Sequence, residues 1–329
     1  MPAPSQLKHL GFAIHSSRSK ERLMLLLTSY MDETGHSDDP RCHFAGMAGF
    51  VAPLENWQRL GEVWQDLLDI LHLKEPFHAK DFFHSQGQFK DWKGNETARK
   101  LLLSSLIDVT LYAKLVPVGA IVSVEDFNGL SERQKTAFLD PYYVAFQTCT
   151  KGAALEALGE PPEEKVAMVY SYNQEYGATK AQEVYSVDQA GRAEQLWHVM
   201  KRTTDFGARM GSYASSTPAE VVQLQIADLF AYELAKEFEN LLTRPNDPMR
   251  WPLRQLLTLV NYPWSMIQLF DRKELLRLIL ESKWSHSEHT EEVGDPAFQM
   301  LSAQERMVKW LRDRAGLSVK KDSIYGEEV

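Results

Sequence analysis

Cysteine and long apolar runs are both scarce in this chain. Only Cys42 and Cys149 occur among 329 residues, too few for a disulfide framework, and this scarcity favours a reducing compartment. No apolar run approaches the ~20 residues needed to cross a bilayer. The first residues also lack the apolar segment of a secretion signal. These absences predict a cytoplasmic protein that has no membrane partner.

Positive charge is in short supply as well. The chain has 36 Lys and Arg against 45 Asp and Glu, a net charge of −9, so its surface as a whole does not attract nucleic acid. Contact with nucleic acid would need a local basic patch. One candidate patch comprises Arg192, His198, Lys201, Arg202 and Arg209. It would either hold phosphates or form an ordinary solvated face.

The most informative stretch is residues 23–35, LMLLLTSYMDETG, where an apolar run ends in two adjacent carboxylates, Asp32 and Glu33. The run does not alternate with polar residues, which is typical of a strand buried on both faces at the centre of a sheet. Many α/β enzymes place chemistry at the exit of such a strand. Alternatively, Asp32 only opens a turn, as aspartate often does.

Periodicity along the chain predicts an α/β protein. Four further strands are predicted, at residues 44–51, 115–124, 166–170 and 206–213. Helical spacing covers residues 54–73, 97–113, 131–158, 179–187, 221–242, 250–260 and 266–283. A capping box at 217–220 would begin the helix at 221–242. We expect a lead-in at 1–22, an α/β domain at 23–243 and a helical extension at 244–329.

Asp228 is the second acid of interest, because it lies within the predicted helix 221–242. Gln225, Asp228 and Tyr232 recur at i, i+3 and i+7 and therefore share one stripe of that helix. A carboxylate and a carboxamide beside a packing face need partners. The other interpretation places Asp228 at the border of the stripe, where it meets water or an arginine.

The two acids would converge if the late helix packs over the first strand. Like charges within ~4–6 Å raise each other's pKa, and a divalent cation would keep both Asp32 and Asp228 ionised. Ligands that are all oxygen atoms favour Mg²⁺ or Mn²⁺ over zinc. The sequence therefore predicts a cation site formed by residues far apart in the chain.

Three motifs carry a family resemblance: D-E-T-G at 32–35, F-H-A-K-D-F at 77–82 and Q-L-Q-I-A-D-L-F-A-Y at 223–232. Together they resemble the signature of a large family of bacterial and phage-associated proteins of unknown function. That family has a DES-G-like motif after its first strand and Q-x-A-D-x-x-A-Y on a late helix. It is usually placed in the ribonuclease H-like superfamily, and the resemblance covers about residues 24–240.

The resemblance implies a ribonuclease H-like fold: a mixed five-stranded sheet flanked by helices, with a helical insertion and a C-terminal helical extension. It also implies a carboxylate cluster that binds Mg²⁺ or Mn²⁺ and hydrolyses nucleic acid. Asp32 would be the central ligand and Asp228 the late-helix ligand. The residues implied to support them are Glu33, Gln225, His78 and Asp81, the last two at the rim.

One position departs from the implied pattern. The superfamily commonly has another acid where its fourth strand ends, and Ser171 stands there in this chain. Glu175 would then serve as a ligand, or Asn173 as a weak one. The leading hypothesis is a metal-dependent nuclease or phosphodiesterase. The alternative is a non-catalytic protein on the same fold that binds nucleic acid or protein.

Overall fold

The segments predicted to be strands assemble into one mixed sheet. The structure, a computed structural model, describes residues 27–35, 42–135, 138, 140–157, 164–171, 186–259 and 266–284, with only the backbone of 186–192, 259, 266 and 280–284. The strands are β1 (Leu27–Thr34), β2 (Phe44–Pro53), β3 (Val116–Ser123), β4 (Val166–Ser171), β5 (Met210–Ser216) and β6 (Met266–Phe270). Their order across the sheet is β5-β4-β1-β2-β3-β6.

The pairing directions place several strand ends together. β2 is antiparallel to both β1 and β3, as predicted for β1, whereas β4 is parallel to β1 and β5 is parallel to β4. The carboxyl ends of β1, β4 and β5 therefore lie side by side at one edge of the sheet. In an α/β sheet this edge is where ligands commonly bind.

Helices cover both faces of the sheet. They are α1 (Leu54–Ile70), α2 (Ala79–His84), α3 (Glu96–Tyr112), α4 (Val124–Asn128), α5 (Glu132–Lys135), α6 (Pro141–Glu156), α7 (Ser186–Thr203), α8 (Gln223–Thr243), α9 (Trp251–Leu256) and α10 (Arg272–Trp284). On one face, the α8 face, α8 packs across β1 and β2 beside α1, α3 and α9. On the other, the α6 face, α6 packs on β2 and β3 beside α7 and α10. Within the described residues, no helix is long and apolar enough to cross a membrane.

Strand alternation decides which face each side chain of β1 meets. Tyr30 belongs to the core on the α8 face, and Met31 belongs to the core on the α6 face. Because successive side chains of a strand point to opposite faces, Asp32 follows Tyr30 to the α8 face. Glu33 follows Met31 to the α6 face. The two adjacent acids are therefore directed apart.

The prediction of five strands was wrong in number. Residues 266–270 form β6, which runs parallel to β3 at the edge of the sheet, whereas their spacing had predicted the start of a helix over 266–283. Helix α10 begins only after this strand, where the carboxylate of Asp271 accepts the N–H of Glu274 at 2.9 Å. The segment after residue 243 is thus not purely helical. The short apolar run at 266–270 is compatible with a strand or a helix by its pattern alone. Pairing with the edge of β3 makes it a strand.

Helix α8 begins later than the capping-box pattern predicts. Residues 217–222 form a separate turn, in which the Glu220 amide donates to the carbonyl of Thr217 at 3.0 Å. The carboxylate of Glu220 does reach back to the N–H of Thr217, at 3.3 Å. However, the carbonyl of Pro218 accepts the side-chain amide of Gln225 at 3.0 Å. This side-chain bond takes the place of a bond in the helix ladder.

Glycine in β2 allows the sheet backbone to approach closely. A Cβ atom at Gly49 would lie 1.9 Å from the carbonyl oxygen of Tyr30. A Cβ at Gly46 would lie 2.4 Å from the carbonyl oxygen of Ala120. In both cases the obstacle is backbone of a neighbouring strand, which cannot rotate away as a side chain would.

We predict that Gly49→Ala destabilises the protein by about 1–3 kcal/mol, the usual cost of an overpacked core. Urea unfolding followed by circular dichroism measures this change. Gly129→Ala is the matched control, because a Cβ there meets nothing closer than 3.5 Å. Equal stability of the two variants would contradict the close approach of β1 and β2.

Candidate functional site

Asp32 is a strand residue, not the opening of a turn. It lies within β1, paired with Ala48 of β2, and its relative exposure is 8%. An ionised carboxylate with so little exposure is costly unless it has partners. The interpretation of Asp32 as simple turn chemistry is therefore excluded.

Asp228 lies on the side of α8 that meets the sheet, with a relative exposure of 7%. Helix α8 packs across β1, and the negative charge of Asp228 raises the pKa of Asp32. The expected convergence of these two acids is therefore present in the fold. We call Asp32 and Asp228 the acid pair.

Hydrogen bonds from the backbone of residues 77–79 orient Asp228 and Gln225. Its Oδ2 accepts the N–H of Ala79 at 2.6 Å. One turn earlier on α8, Gln225 Oε1 accepts the N–H of Phe77 and the indole N–H of Trp64, both at 3.0 Å. The two residues predicted to share a stripe, Gln225 and Asp228, thus both accept hydrogen bonds from the backbone of residues 77–79. Gln225 serves here by positioning this segment.

Ser171 supports Asp32 from the neighbouring strand. It is the last residue of β4, and Met31 pairs with Tyr170 in the parallel register between β1 and β4. The Ser171 side chain hydrogen-bonds the Asp32 carboxyl and lowers its pKa, which opposes the larger effect of burial. A hydroxyl at this position therefore supplies a donor where an acid would add another negative charge.

The electrostatics of the acid pair are dominated by burial. Burial raises the pKa of Asp228 to about 6, although His78 and the bond from Ala79 lower it. Burial, followed by the charge of Asp228, raises the pKa of Asp32 well above its usual range. Because the two groups interact, the second proton leaves against the charge left by the first. Among the described residues, no lysine or arginine contributes to either pKa.

Glu33 does not join the acid pair directly. Its side chain lies on the α6 face, where its charge raises the pKa of Tyr142 at the start of α6. Its charge also raises the pKa of Asp32, but less than burial or Asp228 does. The adjacency of the two acids in the sequence therefore does not make them neighbours in one pocket.

His78 and Asp81 lie at the start of α2, next to the Ala79 N–H that donates to Asp228. Their position at the rim of a metal site stays a prediction. His78 Nδ1 lies 3.1 Å from Asp81 Oδ2, and their side chains are 51% and 37% exposed. His78 lowers the pKa of Asp228 through its charge. The pair is thus accessible from solvent and electrostatically linked to the acid pair.

The remaining predicted site residues are Asn173, Glu175 and the basic patch. Asn173 and Glu175 lie outside the described residues. The basic patch is carried largely by α7, which packs on the α6 face, away from Asp32. Within that patch, the ammonium of Lys201 donates to the carbonyl of Gly211 and lies 4.7 Å from the ring centroid of Trp197. These contacts agree with a structural role for Lys201.

The acid pair fits a magnesium-type cation in donor chemistry but not as a complete cage. In the described part of the chain, no three His, Cys, Asp or Glu residues cluster as a metal site. Mg²⁺ commonly binds through one or two carboxylates and completes its shell with water and substrate phosphate. Two buried carboxylates with raised pKa values offer oxygen ligands of the kind that such a cation binds.

Sequence reasoning missed two contributors to this edge of the sheet. Ser216 ends β5 and donates its hydroxyl to Glu220 Oε2 at 3.0 Å. The capping pattern gave a signal for Glu220, because it predicted a carboxylate that folds back on its own turn. No local pattern could show that Ser216 is paired in register with Ser171.

No protein-family model, curated protein or solved structure matches this chain. The α/β fold with its six-stranded mixed sheet therefore rests on the geometry described above, and the family resemblance stays a prediction.

We predict that the metal-free protein loses stability as pH rises from about 4 to 7. The folded-state pKa of Asp228 is about 6 against an ordinary 3.8, so folding favours the protonated acid. Ionising Asp228 in the folded protein lowers the free energy of unfolding by about 3 kcal/mol. This loss is absent below the pKa of Asp228 in the unfolded chain and complete above its pKa in the folded protein. Urea unfolding in EDTA measures it.

Asp228→Asn cannot titrate at this position, so it should lack the fall in stability that we assign to Asp228. The exposed Asp66→Asn on α1 should keep the wild-type pH profile. If the stability difference between wild type and Asp228→Asn stays constant from pH 4 to 7.5, the raised pKa of Asp228 is wrong.

Proposed function

We propose that this protein is a divalent-metal-dependent nuclease or phosphodiesterase with a ribonuclease H-like fold. The observation that carries the proposal is the acid pair: Asp32 and Asp228 are buried together although 195 residues separate them in the chain. Burial raises the pKa of both acids, so keeping both ionised is unfavourable without a cation. Such a cost is typical of a functional site.

The sheet supports the fold part of the proposal. Strands β1 to β5 form a mixed five-stranded set, with β1 between β2 and β4, and β6 extends it beyond β3. The acid pair lies where β1 ends and α8 crosses it. This is the arrangement that the motif resemblance implies, and it places both acids at the edge formed by strand carboxyl ends.

In the proposed reaction, Asp32 and Asp228 would hold Mg²⁺ or Mn²⁺. A bound cation of this kind neutralises charge on a phosphodiester and activates water for hydrolysis. The N–H of Ala79 holds one oxygen of the Asp228 carboxylate, Oδ2. Ser171 holds the Asp32 carboxyl in the same way. Hydrolysis adds water across one P–O bond and yields a phosphate end and a hydroxyl end.

Side chains beside the acid pair suit nucleic acid. Tyr232 lies one turn after Asp228 on α8, and its ring stacks on that of Phe83 at 4.9 Å between centroids. The guanidinium of Arg250 lies 4.9 Å from the Phe83 ring centroid and forms a bidentate pair with Glu233. Half-buried aromatic rings next to a cation are the kind of surface that bases contact.

A second candidate is a non-catalytic binding protein on the same fold. The observation in its favour is that Asp228 already has a structural task, since it accepts the N–H of Ala79 at the start of α2, which has no side-chain cap of its own. That task needs only one carboxylate oxygen and explains nothing about Asp32. The nuclease proposal therefore accounts for more of the site.

We predict that the protein cleaves DNA or RNA oligonucleotides in Mg²⁺ or Mn²⁺ but not in EDTA. Asp32→Asn should lower the rate by more than ~100-fold, because it removes a proposed metal ligand. Cleavage of labelled single- and double-stranded oligonucleotides provides the measurement, with the exposed Asp66→Asn as control. Equal cleavage by wild type and Asp32→Asn would exclude the proposed site.

Metal binding gives a second prediction that does not depend on turnover. Isothermal titration with Mn²⁺ should show binding that is lost in Asp228→Ala. Ser171→Asp should strengthen it by about tenfold or more, because affinity for hard cations follows the number of charged ligands. Ser171→Ala is the control for loss of the hydroxyl. Absence of any Mn²⁺ binding by the wild type would favour the non-catalytic candidate.

A further inference from the structure

A buried tryptophan of α1 is bonded to the polar residues around Asp228. Trp64 has a relative exposure of 0%. Its indole Nε1 donates to Oε1 of Gln225 at 3.0 Å, between α1 and α8. Its ring also packs edge-on against the ring of Phe77, with 6.0 Å between the centroids. One side chain therefore contacts both Gln225 and the segment that holds Asp228.

The carboxamide of Gln225 fits its three partners in one orientation. Its Oε1 lies against two N–H donors, those of Trp64 and Phe77, and its Nε2 lies against the carbonyl oxygen of Pro218. Turning the amide over would place its NH₂ group against two donors and its oxygen against an acceptor. Gln225 is only 3% exposed, so water offers little replacement for a lost partner. The indole N–H thus helps to keep the oxygen directed at Phe77.

The orientation of Gln225 is passed to Asp228 through the backbone of residues 77–79. Gln225 accepts the N–H of Phe77, and Asp228 Oδ2 accepts the N–H of Ala79 two residues later at 2.6 Å. The two acceptors lie one turn apart on α8, so the two bonds fix this segment in register with the helix. Both Phe77 and Ala79 are fully buried. A shift of Phe77 therefore also moves the N–H that holds Asp228.

We propose that Trp64 is a positioning residue for the acid pair, and that its indole N–H raises the affinity of the site for a divalent cation. This inference rests on the proposed function and names a determinant of the same site. Without the indole N–H, Gln225 Oε1 keeps one donor instead of two, and its carboxamide can tilt away from Phe77. The Asp228 carboxylate then samples more orientations, and a cation must order it on binding, which lowers affinity. Trp64 acts through Gln225 and takes no part in bond breaking.

Trp64→Phe tests this role, because phenylalanine keeps a buried aromatic ring and lacks the N–H. Trp57→Phe is the matched control: Trp57 also lies in α1, is fully buried, and donates its indole N–H to the carbonyl of Thr28 at 2.8 Å. Both variants should lower the urea midpoint of unfolding to a similar extent. Only Trp64→Phe should weaken Mn²⁺ binding in isothermal titration, by about three- to tenfold, the scale of one hydrogen bond. Benzothienylalanine at position 64, which has sulfur in place of the N–H and keeps the bicyclic shape, should weaken it equally and serves if Trp64→Phe does not fold.

A second measurement needs neither a cation nor turnover. In the metal-free protein, hydrogen exchange of the Ala79 amide should be several-fold faster in Trp64→Phe than in Trp57→Phe. Comparison at equal stability removes the contribution of global unfolding. Equal exchange in the two variants overturns the hydrogen-bond path from Trp64 to Asp228.

The outcomes separate this inference from the proposed function. Wild-type Mn²⁺ affinity in Trp64→Phe, or an equal loss of affinity in Trp57→Phe, overturns the positioning role while the metal site and the proposed function stand. If the wild type binds no Mn²⁺ at all, the proposed function fails and the role of Trp64 in cation affinity fails with it.

Discussion

The packing of α8 across β1 is the constraint on which the site depends. It carries Asp228 into the interior beside Asp32, where burial penalises both charges. The same helix buries Gln225, whose amide would also be costly without partners. The fold satisfies these groups with backbone N–H donors from residues 77–79 and with the hydroxyl of Ser171. Burial and the charge of Asp228 nevertheless keep the pKa of Asp32 above its usual range.

This polar stripe on α8 also bonds to three separate parts of the chain. Gln225 alone bonds to α1 through Trp64, to the segment before α2 through Phe77, and to the turn before α8 through Pro218. Each bond is buried or partly buried, where an unmade hydrogen bond is expensive. The position of Asp228 is therefore fixed by its neighbours on three sides, which is the kind of preorganisation that a ligand-binding carboxylate needs.

Much of the fold was accessible from the sequence because its signals were local. The stripe on α8 gave a correct expectation, and the strand expected before Asp32 is confirmed from Leu27 onward, since residues 23–26 lie outside the described part of the chain. Three features failed for physical reasons. Successive side chains of β1 point to opposite faces of the sheet, so Glu33 and Asp32 point apart although they are adjacent in the sequence. The start of α8 depends on a side-chain bond to Pro218. β6 is only five residues long, and such a run acquires its structure from the free edge of β3.

The position of β6 has a consequence for how the polypeptide divides. β3 pairs with β2 along one edge, and among the described residues its other edge is covered by residues 266–270 alone. A chain cut after residue 243, where the helical pattern suggests a natural boundary, would leave the N–H and C=O groups of β3 open to pairing with other molecules. β6 thus covers an edge of β3 that would otherwise be open to other molecules, and a fragment that keeps this edge paired must extend through residue 270.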